Sequence, residues 1–163
     1  MASADIEQLS PDSPLKPLYV IHGEEDLLRI EALDTLRAAA KRQGYLNREV
    51  YTADNAFDWN ELLQSAGSAG LFADLKLLEI HIPGGKPGKT GGEALQSLAE
   101  RLPEDTVTVV MLPLAASAPN HLACVWAFSS LGSMTTVTVS SGRFSARLSN
   151  ASPPFFPGLP FGI

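Results

Sequence analysis

The hydrophobic pattern of the first two thirds of the chain alternates between a strand-like and a helix-like period. Short apolar runs predict strands at 18–21, 49–52, 75–82 and 106–112. Apolar residues at helical spacing predict helices over 27–42, 59–66 and 93–102. In the first helix they fall roughly on one face: Leu27, Ile30, Leu33, Leu36 and Ala40. Alternating strands and helices with short connections predict an α/β fold with a doubly wound parallel sheet, whose strand order stays open.

Charge divides the chain into two parts near Pro113. All 18 acidic residues lie at or before Asp105, and beyond Pro113 the basic residues are Arg143 and Arg147. Residues 114–163 are rich in Ser and Pro, with one clear strand candidate at 134–139. We therefore expect three regions: an N-terminal extension at 1–16, an α/β domain at 17–113 and an irregular tail at 114–163.

The overall composition narrows the classes of function. A formal net charge of −6 and a pI near 5.0 provide no global basic field for nucleic acid. The single cysteine, Cys124, excludes an internal disulfide and a Cys-based zinc site, which fits a reducing cytoplasm. Residues 1–9 lack the basic start of a secretory signal, and prolines interrupt the uncharged stretch 106–142. We expect a cytoplasmic protein without a membrane span.

Two large apolar side chains, Leu71 and Phe72, stand in the Gly/Ala/Ser-rich connection 68–74, between a predicted helix and a predicted strand. Such connections normally run over the wet surface of a protein. The pair therefore has two interpretations. Either both side chains fold back to fill the core, or the connection presents them for another protein to bury.

A glycine-rich loop at 84–90 resembles the phosphate-binding P-loop, since it ends in Lys89-Thr90 and lies between a strand and a helix. That motif needs four residues between its glycines, so that successive backbone N–H groups surround the phosphates. Here Gly84 and Gly88 enclose three residues, and Pro87 removes one N–H group. The sequence favours a mildly basic surface loop, and a small P-loop nucleotide-binding enzyme using this loop is the alternative.

The remaining polar residues form no catalytic set. His22, His81 and His121 lack metal-ligand spacing, and the serines include no nucleophile elbow. The acidic run 24–26 is accounted for by the start of a helix, where carboxylates are favourable. We expect no catalytic residues, no cofactor and no metal.

Taken together, the order and spacing of several short motifs resemble a known family. They are the run 18–28, the helix start at 58–60, the segment 70–74 with its following strand, and the strand 106–112. This arrangement is similar to the N-terminal domain of the bacterial DNA polymerase III delta subunit, a component of the clamp loader. The resemblance covers about residues 17–113.

The resemblance implies a fold and a function. The family's first domain has an AAA+-like fold that has lost its nucleotide site, and the subunit binds the ring-shaped sliding clamp (the polymerase III beta subunit) and holds it open for DNA replication. Leu71 and Phe72 match the Leu-Phe pair that inserts into a hydrophobic pocket of the clamp. Partner subunits of the loader handle ATP and join delta through C-terminal collar domains, so delta has no catalysis of its own and contacts DNA only through the complex.

Beyond Pro113 the sequence departs from the family pattern, although Trp126 and Phe128 still hint at it. The collar is missing, which puts assembly with other clamp-loader subunits in doubt. We expect residues 114–163 to be an aberrant tail, read out of frame, because ordinary domains carry charge at about a quarter of their positions. A genuine Ser/Pro-rich extension and a truncated product without function are the alternatives.

Overall fold

The structure is a computed structural model that describes residues 14–67, 75–113, 134–140 and 143–148. Three helices and six strands follow one another along these residues. In chain order they are β1 (Leu18–Gly23), α1 (Asp26–Arg42), β2 (Asn47–Thr52), α2 (Trp59–Gly67), β3 (Lys76–His81), α3 (Gly88–Glu100), β4 (Thr106–Pro113), β5 (Met134–Ser140) and β6 (Arg143–Leu148).

The strands form one sheet in the order β2-β3-β4-β1-β5-β6. Every neighbouring pair from β2 to β5 is parallel, and β6 alone runs antiparallel, beside β5. The prediction of a parallel α/β sheet is confirmed. A parallel sheet is covered on both faces, and β1 and β4 are accordingly buried along almost their whole length rather than at alternate positions.

Two hydrophobic clusters fill the two sides of the sheet. Successive residues of β1 alternate between them, with Val20 in one cluster and Ile21 in the other. Helix α1 packs on the Ile21 side through Leu33 and Leu36. Helices α2 and α3 pack on the opposite side, where Leu62 and Leu95 are almost completely buried. The molecule therefore has helices on both faces of its sheet.

The buried face of α1 differs from the predicted one. Leu27 and Ile30 are 66% and 47% exposed, whereas Arg29 and Ala32 point inward with Leu33 and Leu36. At about 100° per residue, Ile30 lies about 60° from Leu33 around the helix, which is enough to leave the edge of the buried stripe. The expectation that all five apolar residues share the core face is wrong for these two.

Helix α3 begins at Gly88, before the predicted start at residue 93. Among the glycines of its early turns, Gly91 is required because α2 lies very close to it. A Cβ atom added at Gly91 would lie 2.6 Å from Cζ2 of Trp59, the first residue of α2. Tertiary packing here overrides the poor helix propensity of glycine.

The region 114–163, expected to be irregular, contains one strand that was predicted and one that was not. The predicted strand at 134–139 exists as β5, and it pairs with β1 in register from Leu18↔Met134 to Gly23↔Val139. Strand β6 then continues the sheet as its outermost strand. All five residues 135–139 are β-branched, which suits a strand even without flanking charges. Whether the tail arises from a shifted reading frame stays a prediction.

Candidate functional site

The two ends of the parallel strands define two different edges of the sheet. The β-to-α connections, including the glycine-rich loop 84–90, leave from the carboxyl ends of the strands. The α-to-β connections, including residues 68–74, arrive at the amino ends. In open α/β sheets, ligands bind outside the carboxyl ends, so the two edges are candidate sites of different kinds.

Leu71 and Phe72 lie outside the described residues, but both ends of their connection are described. Helix α2 ends at exposed Gly67, and β3 begins at Lys76, whose backbone N–H donates to the Asp105 carbonyl over 2.9 Å. Leu75 packs beside Gly44, since a Cβ added there would lie 3.5 Å from the Leu75 Cδ1. The connection therefore starts and ends at the amino-terminal edge of the sheet.

A polar cluster joins these two ends. Lys76 Nζ donates to the Ser65 carbonyl over 3.0 Å and forms an ion pair with Glu49 Oε1 over 2.9 Å. The second carboxylate oxygen of Glu49 accepts hydrogen bonds from Ser65 Oγ over 2.6 Å and from Tyr51 Oη over 3.3 Å. Lys76, at the start of β3, thus contacts both the last turn of α2 and the edge strand β2.

Electrostatics keep this cluster charged. Burial raises the pKa of Glu49, but the hydrogen bonds from Ser65 and Lys76, together with the charge of Lys76, outweigh burial. The pKa of Glu49 therefore lies below its usual value. The Lys76 side chain is only 13% exposed, and its ammonium group pairs with this carboxylate.

At the carboxyl-terminal edge, loop 84–90 is built as a turn leading into a helix. Gly85 has a φ of +65° and donates its N–H to the Ile82 carbonyl over 2.9 Å. Gly88, with a φ of +72°, already begins α3. Lys89 and Thr90 are exposed residues of the first helical turn. The loop lacks the length to surround a phosphate, as its sequence predicts.

The β1–α1 connection gives no room for a phosphate cradle either. Strand β1 ends at Gly23 and α1 begins at Asp26, so only Glu24 and Glu25 lie between them. Both are exposed carboxylates. A phosphate at this helix start would meet like charge instead of a run of backbone N–H groups.

A cleft of about 600 Å³ opens at the amino-terminal edge of the sheet, which is the edge opposite loop 84–90. The residues that line it include Pro17, Tyr45, Leu102 and Val107, with Glu100 and Glu104. Tyr45 follows Gly44, against which Leu75 packs. The cleft therefore lies close to the end of the connection that carries Leu71 and Phe72.

Sequence reasoning missed a second polar cluster, centred on Glu79. This carboxylate of β3 is completely buried, yet two arginines bind it: Arg37 of α1 over 2.7 Å and 2.8 Å, and Arg48 of β2 over 2.8 Å. Burial raises the pKa of Glu79, but hydrogen bonds from Arg37 and His81 and the charge of Arg37 lower it to about 2. The signal was available, since both faces of a parallel strand are covered and a charge within one needs partners.

The histidines form no metal site where they are described. His22 is buried at the end of β1, His81 lies 3.4 Å from the Glu79 carboxylate, and His121 is outside the described residues. Over the described ranges, no cluster of three or more His, Cys, Asp or Glu residues could hold a metal ion. No helix in that part of the chain is long and apolar enough to cross a membrane.

Comparisons with known proteins agree with the resemblance seen in the sequence. The sequence model of the family described as DNA polymerase III, delta subunit, matches residues 19–124, and so passes beyond Pro113. The Haemophilus influenzae DNA polymerase III subunit delta is 32% identical over 69 residues, which are 42% of this chain and 20% of that protein. The Escherichia coli DNA polymerase III subunit delta is 28% identical over 96 residues, which are 59% of this chain and 28% of that protein.

A solved structure shares the fold. The Bacillus subtilis DNA clamp loader delta protein superimposes with a TM-score of 0.57 at 17% identity, over 81% of this chain and 41% of that one. The chain thus spans less than half the length of each of these three relatives. Because the family match extends over more than half of its residues, the chain belongs to the DNA polymerase III delta subunit family of clamp-loader proteins.

Proposed function

We propose that this chain is the clamp-binding, N-terminal part of a delta subunit, which binds the sliding clamp and opens it for DNA replication. In this proposal Leu71 and Phe72 enter a hydrophobic pocket on the clamp. The chain itself hydrolyses no ATP, which is the task of partner subunits. It meets DNA only through the assembled cytoplasmic complex, and other loader subunits join it where a collar domain is present.

The observation that supports this proposal best is the position of the connection 68–74. It carries two large apolar residues, and its two ends are fixed at the amino-terminal edge of a rigid sheet. Because the chain belongs to the delta family, the partner proposed for such a pair is the sliding clamp. A Leu-Phe pair at a protein interface is a plausible hot spot, whose truncation costs about 2 kcal/mol or more of binding free energy.

Clamp opening follows from differential affinity and needs no chemistry in this chain. A ligand shifts an equilibrium between two conformations only by the difference in its affinity for them. If Leu71 and Phe72 fit the clamp better in its open geometry, binding shifts the ring toward the open state. The absence of a phosphate cradle at 84–90 and after β1 is consistent with this mechanism and does not favour the P-loop enzyme.

The test is binding of the full chain to the sliding clamp of the same organism, measured by surface plasmon resonance. The variant Leu71→Ala/Phe72→Ala is expected to lose at least about 30-fold in affinity, which corresponds to ~2 kcal/mol. Its melting temperature is expected to stay close to that of the wild type.

The matched control is Leu27→Ala/Ile30→Ala, which removes a second pair of large, exposed apolar side chains from α1. This control is expected to bind the clamp like the wild type. A different result for the first variant, unchanged clamp binding with a loss of stability of about 2–5 kcal/mol, would mean that Leu71 and Phe72 fill the core instead.

A further inference from the structure

Lys76 is the first residue of β3 and directly follows the connection that carries the proposed clamp contact. We propose that Lys76 is a positioning residue for clamp binding: by joining the last turn of α2 to Glu49 of β2, it fixes the two ends of the connection 68–74 relative to each other. This inference rests on the proposed function, because it concerns the residues that hold Leu71 and Phe72 in place.

The contacts of Lys76 close a loop of the chain. Its Nζ lies 3.0 Å from the carbonyl oxygen of Ser65, so the first residue of β3 is hydrogen-bonded to the last turn of α2, from which the connection leaves. Carbonyl groups in the last turn of a helix have no intrahelical N–H partner, and a cation there also interacts favourably with the helix dipole. Since α2 has no basic residue in its last turn, Lys76 supplies that cation from the neighbouring strand.

Glu49 makes the position of Lys76 specific. In the sheet register Glu49 lies opposite Leu78, so it shares the face of Lys76 and is two residues along from it. Its carboxylate contacts Lys76 Nζ over 2.9 Å and Ser65 Oγ over 2.6 Å. Two side chains thus hold α2 to the edge of the sheet from two directions.

Preorganisation gives this arrangement a consequence for binding. A connection whose ends are held loses less conformational freedom when its apolar residues enter a pocket, so affinity rises without any new contact. Lys76 is itself only 13% exposed and is not part of the proposed contact, so its effect is indirect. Breaking the tie is expected to weaken clamp binding through the free state of delta and to leave the contacts with the pocket intact.

The experiment measures clamp affinity and thermal stability for three variants of the full chain. Lys76→Met keeps the aliphatic stem but removes the charge and the donors, and is expected to weaken clamp binding roughly three- to tenfold. Lys76→Arg keeps both and is expected to restore affinity to within twofold of the wild type. Arg48→Met is the matched control, because Arg48 is a half-exposed ion-pair residue of β2 on the opposite face, bound to Glu79 rather than to α2.

A purely structural role would make affinity follow stability. The proposal expects Lys76→Met to lose affinity, and Arg48→Met to keep it, even where the two variants lose similar stability. Amide hydrogen exchange over 65–76 is expected to be faster in free Lys76→Met than in the wild type and unchanged in Arg48→Met.

Two results overturn this inference: Lys76→Met binding the clamp within twofold of the wild type, or Lys76→Met and Arg48→Met losing affinity equally. The Leu71→Ala/Phe72→Ala variant separates this failure from that of the proposed function. If that variant loses binding while Lys76→Met does not, only the positioning role is wrong. If it binds normally, the clamp contact itself is wrong.

Discussion

At the carboxyl-terminal edge of the sheet, two glutamates alone separate β1 from α1, and a glycine turn leads from β3 directly into α3. At the amino-terminal edge, residues 68–75 separate α2 from β3, and a cleft of about 600 Å³ opens nearby. Among the described connections, the one after β1 therefore presents carboxylates where an α/β fold usually binds its ligand, while the opposite edge has a cleft lined in part by apolar side chains. In the proposed function the protein is used from this second edge, and the sheet serves as a rigid spacer behind the clamp contact.

The largest expected effect comes from breaking that spacer at Glu79. Glu79→Gln removes the negative charge shared by Arg37 and Arg48, which join α1 and β2 to β3. Both arginines are partly exposed and can be hydrated again, so we expect the lower end of the usual range for a broken buried pair, about 3 kcal/mol of unfolding free energy. Urea denaturation measures it, and a loss below about 1 kcal/mol would show that Glu79 does not brace the sheet.

The same carboxylate predicts a pH dependence. The pKa of Glu79 in the folded protein is about 2, against an ordinary value of 4.5, so its contribution to stability is complete above pH 4.5 and falls away as the pH drops toward 2. At pH 3 the wild type should have lost about 2 kcal/mol more than Glu79→Gln, relative to pH 7. If the wild type and Glu79→Gln lost equal stability between pH 7 and pH 3, the assignment of this pH dependence to Glu79 would be contradicted.

A substitution at Gly91 tests how tightly α2 and α3 pack at the carboxyl-terminal edge of the sheet. In Gly91→Ala the new Cβ meets Trp59, whose ring is also held edge-on by Phe57 at a centroid distance of 5.0 Å. We expect a loss of about 1–3 kcal/mol from overpacking. Gly92→Ala is the control on the same helix, since an added Cβ there contacts nothing within 4 Å, and it should stabilise the protein by about 0.5–1 kcal/mol. Equal effects in both variants would indicate that the edge is loosely packed.

The smallest expected effect is the binding heat on addition of nucleotide to the chain. Titration of the full chain with ATP and Mg²⁺ should give no saturable heat, because neither loop 84–90 nor the β1–α1 connection can surround a phosphate. Saturable binding that disappears in Lys89→Ala would restore the P-loop enzyme and remove the contrast between the two edges.

The parts of the fold that sequence predicted are those set by local periodicity. The runs that became β1, β3 and β4 are apolar enough to identify buried parallel strands, and α1 ends in Lys41 and Arg42 as helix signals require. Leu27 and Ile30 were misplaced because they lie about 120° and about 60° from Leu33 around the helix, outside the stripe that is buried against the sheet.

What escaped prediction depends on residues far apart in the chain. Glu79 and Arg37 are 42 positions apart, and Glu49 and Ser65 are 16 apart, so no local pattern joins them. Strand β6 was missed for a different reason, whereas β5 lies where a strand was predicted. Low charge and many Ser residues predicted an irregular tail, whereas pairing of β5 with buried β1 requires only a suitable edge and β-branched residues.

The two anchored ends of the connection also limit how far its residues can extend from the sheet. The eight residues that separate α2 from β3 leave one edge of the sheet and return to it, so fully stretched they extend only about 14 Å from their anchors. Any partner that buries Leu71 or Phe72 must therefore approach the amino ends of the strands to within that distance plus the length of one side chain, which brings it near the cleft beside them. Shortening or lengthening the connection by a residue or two would change the stand-off between the two proteins, and with it the angle at which the partner is held.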